Sequence, residues 1–270
     1  MGFLTDLVTR VRRDLDEHPL DEGALLARAG ARPPARGFLT ALRARTPALI
    51  AEVKRASPSA GPIADGADPV AQATSYTDGG AAAISVLTEP RHFRGSLADL
   101  DAVRVSVNVP LLRKDFLVHP GQVIEARAHG ADAVLLITAA LTDDELTAML
   151  AIARDLGMDA LVETHADDEL ERAMASGAEV IGVNARDLES LDVDVDRALD
   201  RVRRIPEDRM AVFESGVRSR ADVEAAVDAG ASAILVGEAL MRAADPRATL
   251  RELIGGAHPR SERGGDRHEF

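Results

Sequence analysis

Residues 131–157 read ADAVLLITAALTDDELTAMLAIARDLG, and this stretch holds the unit from which the chain is built. Ala131–Ile137 is a short, almost unbroken run of branched apolar residues, as a parallel strand covered on both faces must be. Thr142–Leu156 then turns to helical period. Asp143, Asp144 and Glu145 load the first turn, where the helix dipole favours anions. Leu146, Met149, Leu150 and Ala153 form one apolar stripe. Gly157 ends the helix, because glycine accepts the left-handed conformation of a C-terminal stop.

Seven other apolar runs share this form: Ala48–Val53, Ala81–Leu87, Val109–Leu112, Met158–Val162, Glu179–Val183, Met210–Phe213 and Ser232–Val236. Helical periodicity fills the gaps, with glycine stops at Gly79-Gly80, Gly130, Gly177 and Gly230. Eight strand–helix units in this order predict an α/β fold, a closed (β/α)8 TIM barrel. An open doubly wound sheet is the alternative, but no G-x-G-x-x-G follows a strand to favour a dinucleotide site. Before the barrel, residues 3–17 predict an amphipathic helix, Pro33-Pro34 breaks the chain, and Phe38–Arg43 predicts a short helix. Residues 1–46 are thus expected to be a helical extension packed over one end of the barrel. Residues 47–254 are expected to form the barrel, as a catalytic domain, and 255–270, rich in Gly, Arg, Ser and His, a disordered tail.

The composition, 46% hydrophobic and 29% charged, suits a buried core with a solvated surface. A formal net charge of −13 argues against nucleic acid as a partner, which needs clustered cations. It leaves room for a small anion bound in a local field. With no cysteine, disulfides, thiolate metal sites and thiol nucleophiles are excluded. There is no apolar run of about 18 residues and no signal-peptide pattern, so a cytoplasmic protein without membrane contact is expected. The seven histidines, among them His92, His119 and His165, lack metal-ligand spacing and are assigned to the surface. No metal is expected.

In a barrel of this kind, function sits at the C-terminal ends of the strands. Strand one ends Glu52-Val53-Lys54, and alternation puts Glu52 and Lys54 on the inner face. The third ends Arg113-Lys114-Asp115, and the fifth in Glu163. The sixth ends in Asn184-Ala185-Arg186, the seventh in Glu214-Ser215-Gly216, and the eighth in Gly237-Glu238. Of 32 basic residues only Lys54 and Lys114 are lysines, and both fall at strand ends. With roughly three such positions per strand, chance places both there about 1% of the time. Lysine offers what arginine does not, an ammonium able to lose its proton. Each residue also has a structural reading. Glu52 and Lys54 can simply pair, Glu163 can serve a helix start, Asn184 and Ser215 can be helix caps, and Phe93 can be loop packing. Ser215, Gly216 and Gly237 would let backbone N–H groups approach a phosphate, with the short helix after Gly237 aimed inward.

The segment Ile50-Ala51-Glu52-Val53-Lys54-Arg55-Ala56-Ser57-Pro58-Ser59 closely resembles the signature of the indole-3-glycerol-phosphate synthase family. The resemblance continues through Leu87-Thr88-Glu89, Phe93, Gly95-Ser96, Leu112–Phe116, Leu161–Glu163, Gly182–Asn184, Arg186–Leu188, Glu214–Gly216 and Val236–Glu238. It covers roughly residues 35–254. It implies a substrate, 1-(2-carboxyphenylamino)-1-deoxyribulose 5-phosphate, closed to indole-3-glycerol phosphate with loss of carbon dioxide and water. No electrons change hands, so no cofactor is implied.

The resemblance further implies roles. Lys114 is the general acid of ring closure, and Glu163 the acid–base of dehydration. Lys54 binds the substrate carboxylate or shares the acid role, and Glu52 holds one of the lysines. Asn184 and Glu214 orient substrate hydroxyls or the anilino nitrogen. Ser57, Ser215, Gly216, Gly237 and Arg186 hold the phosphate, with Glu238 beside them, and Phe93 walls the aromatic ring. Lys114 is expected to be an exposed strand-end residue whose loss leaves the fold intact. A monomer is expected, with a small phosphorylated substrate and other tryptophan-pathway enzymes as partners. Two positions depart from the family pattern: Ala185, where a second Asn is common, and the acidic Glu238 beside a phosphate site. A phosphoribosylanthranilate isomerase-like barrel, or an inactive barrel kept as a binding partner, are the competing readings.

Overall fold

The computed structural model describes residues 2–64 and 66–255; most of the tail expected to be disordered, from residue 256 onward, lies outside the described residues. Eight parallel strands are arranged in sequence order: β1 (Ala48–Val53), β2 (Ala83–Leu87), β3 (Leu111–Lys114), β4 (Ala133–Ile137), β5 (Asp159–Thr164), β6 (Val180–Asn184), β7 (Met210–Glu214) and β8 (Ala233–Val236). β1 pairs with both β2, Glu52 opposite Ser85, and β8, Ile50 opposite Leu235. The sheet is therefore a closed barrel, and the open-sheet alternative is excluded.

The strands run further into polar sequence than the apolar runs do. Lys114, Glu163, Thr164, Asn184 and Glu214 all lie within strands. β3 is displaced by two residues from its apolar run, since Pro110 has no N–H to give the ladder. Register then aligns the polar residues: Leu87 beside Lys114, Ile137 beside Glu163, Glu163 beside Gly182, Asn184 beside Glu214, Glu214 beside Leu235. The ladder fixes a belt of charged groups above apolar layers.

The barrel is ringed by helices α4 (Pro69–Gly79), α5 (Leu97–Ser106), α6 (Pro120–Ala128), α7 (Asp143–Asp155), α8 (Asp167–Ala175), α9 (Val195–Val202), α10 (Arg220–Asp228), α11 (Glu238–Arg242) and α12 (Pro246–Ile254). The capping box of α7 joins Thr142 and Glu145, and Gly157 takes φ +72° after it.

Residues 3–43 form three helices outside the barrel: α1 (Phe3–Glu17), α2 (Glu22–Gly30) and α3 (Phe38–Arg43). α1 and α3 match the sequence reading. α2, capped by Asp21 on the N–H of Ala24, was hidden by its own Gly23 and weak stripe. Packing over one end is corrected to packing over both. Phe38 and Leu42 are fully buried beneath the N-terminal strand ends, where Asp132 accepts the N–H of Arg36 (2.7 Å) and Asp159 that of Leu39 (2.9 Å). α1 lies across the opposite end, its Leu4 N–H donating to Leu188 O (3.2 Å). Among the described residues no helix is long and apolar enough to cross a membrane.

Candidate active site

Glu52, Lys54, Lys114, Glu163, Asn184 and Glu214 converge at the C-terminal mouth of the barrel, on a cavity of about 520 Å³. Apolar side chains, among them Phe93, Phe116, Leu135, Ile137, Leu188 and Leu235, wall it. Lys114 Nζ donates to Glu163 Oε2 (2.8 Å) and lies 3.4 Å from Glu214 Oε2. Asn184 Nδ2 donates to the other Glu163 oxygen (3.2 Å), while its own Oδ1 accepts the N–H of Arg186 (3.0 Å). Lys54 Nζ stands 2.8 Å from Glu52 Oε2. The pairing reading of Glu52 and Lys54 thus holds geometrically, yet both face the cavity. Glu163 is fully buried at a strand end, so the helix-start reading does not describe it.

Burial works against the charge of Lys114, but the carboxylates of Glu163, Glu214 and Glu52 outweigh it and hold its proton more tightly than a free lysine's. Glu163 is driven well below the usual carboxylate range: burial opposes this, and Lys114 and His165 prevail. Glu214 moves the other way, to about 8, through burial and the neighbouring Glu163 charge. Two carboxylates facing one ammonium are thereby split in proton affinity, Glu163 the stronger acid and Glu214 the weaker.

Two expectations are corrected here. Lys114 is not exposed: its side chain retains 13% of its accessible surface and is boxed in by carboxylates. His165 is not a surface residue: its side chain is only 8% exposed, between Glu163 and Glu169. Behind β3, Asp115 accepts Thr88 Oγ1 (2.5 Å) and Arg113 (3.1 Å), and Arg113 also reaches Glu125 (2.9 Å). This buried network braces the strand that carries Lys114.

Ser57, Arg186, Ser215, Gly216, Gly237 and Glu238 also line the cavity. Ser215 and Gly216 are both left-handed, at φ +68° and +78°, a sharp turn that exposes backbone N–H groups. Ser215 is not a helix cap, since Ser219 caps α10. A Cβ on Gly237 would stand 2.5 Å from Glu52 Oε2, so only glycine lets that carboxylate and Lys54 sit where they do. Glu238 accepts Arg242 Nε one helical turn on (3.0 Å), and both side chains line the cavity. Arg186 donates to Leu191 O (2.7 Å) and still lines the cavity. Ala185 is buried, and its N–H donates to Glu214 O (2.8 Å).

Sequence reasoning gave no site role to Phe3, Phe116, Leu188 and Gly182, although the last three fall within the family-like segments. Phe116 meets Phe93 at 6.0 Å and Phe3 at 6.4 Å between ring centroids, bringing α1 to the cavity mouth. Phe3 could have been suspected from scarcity alone, as one of six phenylalanines. Nothing in periodicity marks Leu188 or Gly182.

The chain matches the family model for indole-3-glycerol phosphate synthase over residues 4–253. It is 51% identical over 262 residues to the indole-3-glycerol phosphate synthase of Rhodococcus opacus, covering 96% of this chain and 97% of that one. It is likewise 51% identical over 259 residues to the enzyme of that name from Mycobacterium tuberculosis, covering 95% of each. Solved structures share the fold at low identity. A 3-hexulose-6-phosphate synthase has a TM-score of 0.60 at 20% identity over 76% of this chain and 97% of that one. A thiamine phosphate pyrophosphorylase from Pyrococcus furiosus has 0.58 at 18%, over 78% and 95%. The chain belongs to the indole-3-glycerol phosphate synthase family.

Proposed function

We propose that the chain closes the indole ring of 1-(2-carboxyphenylamino)-1-deoxyribulose 5-phosphate, releasing indole-3-glycerol phosphate, carbon dioxide and water. The observation that carries this reading is the buried ammonium of Lys114 between Glu163 (2.8 Å) and Glu214 (3.4 Å), on the floor of an apolar-walled cavity. The sugar phosphate lies toward Ser215, Gly216, Gly237, Ser57 and Arg186, and the anilino ring against Phe93 and Phe116. Lys54 meets the substrate carboxylate, and Glu52 steadies Lys54.

Lys114 gives a proton to the ketose carbonyl oxygen as the ring carbon bearing the carboxylate attacks. That carboxylate departs as neutral carbon dioxide, returning its electron pair to the ring. Glu163, ionised, takes a proton from the methylene next to nitrogen and protonates the departing hydroxyl, which leaves as water. Glu214, whose proton affinity is raised by burial and by Glu163, hydrogen-bonds a substrate hydroxyl, and Asn184 fixes Glu163. The same reading includes a cytoplasmic monomer, with other tryptophan-pathway enzymes as its expected partners.

The test is direct: chelator-treated protein is mixed with the substrate, and the indole product followed by fluorescence. Turnover without added metal or nucleotide is the expected result. An isomerase-like barrel would bind the substrate and yield no indole, which would refute the reading.

A further inference from the structure

His165 lies two residues beyond Glu163, just past the end of β5, and turns back toward the same carboxylate. Its Nε2 is 3.2 Å from Glu163 Oε1, and its Nδ1 is 3.3 Å from Glu169 Oε2. That Glu169 oxygen also accepts the backbone N–H of His165 (2.7 Å), fixing imidazole and main chain to the first turn of α8. Glu163 therefore has three polar neighbours on two oxygens, Lys114 on one and Asn184 and His165 on the other. Lys114 and Asn184 face the cavity, and His165 is absent from its lining.

We propose that His165 is a positioning residue for Glu163: pinned by Glu169, it stands behind the carboxylate as a second cation and holds it ionised beside Lys114. The inference rests on the reaction proposed above, because it is Glu163's role as base that gives the arrangement a use. The charges around the imidazole agree. Glu163 on β5, Glu169 on α8 and Asp187 in the loop after β6 are acidic, while Lys114 on β3 acts across Glu163. Burial alone would strip the imidazole of its charge, but the two carboxylates overcome it and raise its pKa to about 9. A cation confined there favours the ionised form of Glu163 over the protonated one. Without it, Glu163 keeps only Lys114 as a charged partner and takes up a proton at higher pH.

The experiment measures pH profiles of kcat and KM for the wild type, His165→Gln and Glu169→Gln, with thermal unfolding of each. Gln keeps an N–H toward Glu163 but carries no charge. In His165→Gln the acidic limb of kcat/KM should move up by about one pH unit. Its kcat should fall by on the order of tenfold at neutral pH, with KM little changed. Glu169→Gln, on the more exposed side of the pair, should shift the limb in the same direction and less. An acidic limb unmoved in both variants, or activity lost equally at every pH, would overturn the inference while wild-type turnover leaves the proposed reaction standing. An inactive wild type would instead refute the reaction on which it rests.

Discussion

Glu214 stands in the space that a side chain on Gly182 would need: a Cβ there would overlap Oε1 of the carboxylate and come within 3.2 Å of Leu161 Cδ1. The two residues lie on adjacent strands, and the bare backbone of β6 is what admits the Glu214 carboxylate to the barrel interior. Gly182→Ala should therefore push Glu214 off Lys114 or part the strands. We expect kcat to fall by about a hundredfold, as sub-ångström misplacement at a reacting centre does. Stability should drop by about 1–3 kcal/mol, the usual cost of overpacking. Steady-state kinetics and urea unfolding of the variant measure both, and near-normal turnover would show that Glu214 need not hold this position.

The role of Gly182 also shows where sequence reasoning stops. Alternation along a strand told which face Glu52 and Lys54 occupy, and rhythm told that there were eight strands. Both are local signals that the barrel only has to respect. The fit of Glu214 against Gly182, or of Glu52 against Gly237, depends on register between strands that lie from about thirty to nearly two hundred residues apart in the chain. His165 misled for the same reason: lacking metal-ligand spacing it reads as a surface histidine, and only the turn into α8 brings it back between Glu163 and Glu169. Similarly, α3 was legible as a helix from its own residues. That it seals the N-terminal end while α1 crosses the other depends on Asp132 and Asp159, about a hundred residues away in the chain.

Lys114 should be intolerant of replacement in both function and stability. Lys114→Ala removes the proton donor, and turnover should fall by about 10³-fold, within the range of lost acid–base groups. It also leaves Glu163 and Glu214 facing each other, buried without their shared cation. Stability at neutral pH should fall by about 3 kcal/mol and recover in part on acidification, when Glu163 takes a proton. Lys114→Arg keeps the charge but not the compact shape or a proton it can give up, and should fail in catalysis while folding better than Lys114→Ala. Equal stability of Lys114→Ala and wild type across the pH range would contradict the buried-cluster account.

Stability should decline as pH rises from neutrality. His165, at about 9, and Glu214, at about 8, both bind protons more tightly when folded than at their ordinary values of 6.5 and 4.5. Each contribution is complete below the unfolded pKa and is lost as pH rises through the folded one. Glu163 and Glu169 are lowered, so their contributions are present above about 4.5 and lost on acidification. Between pH 7 and 9 the two raised groups set the slope. Glu214→Gln, which has no proton to lose, should flatten the fall in urea midpoint over that interval. A slope identical to wild type would mean that Glu214 does not carry its proton into the alkaline range.

Asp132 provides the complementary test at the far end of the barrel. Its fully buried carboxylate accepts Arg104 Nη1 on both oxygens (2.7 and 2.6 Å), the N–H of Arg36 (2.7 Å) and that of Leu111 (2.9 Å). It ties α5, the start of β3 and the segment leading into α3 to one point. Asp132→Ala would leave the Arg104 guanidinium buried with no acidic partner at that point and two backbone donors unmet, costing about 3–5 kcal/mol. Asp132→Asn keeps two acceptor sites on one oxygen without the charge, and should cost less. Because Asp132 precedes β4 at the end opposite Lys114, kcat per folded molecule should stay near wild type in both variants. A large loss of kcat in a variant that still folds would show that the two ends of the barrel are mechanically coupled, and that the extension does more than seal the floor.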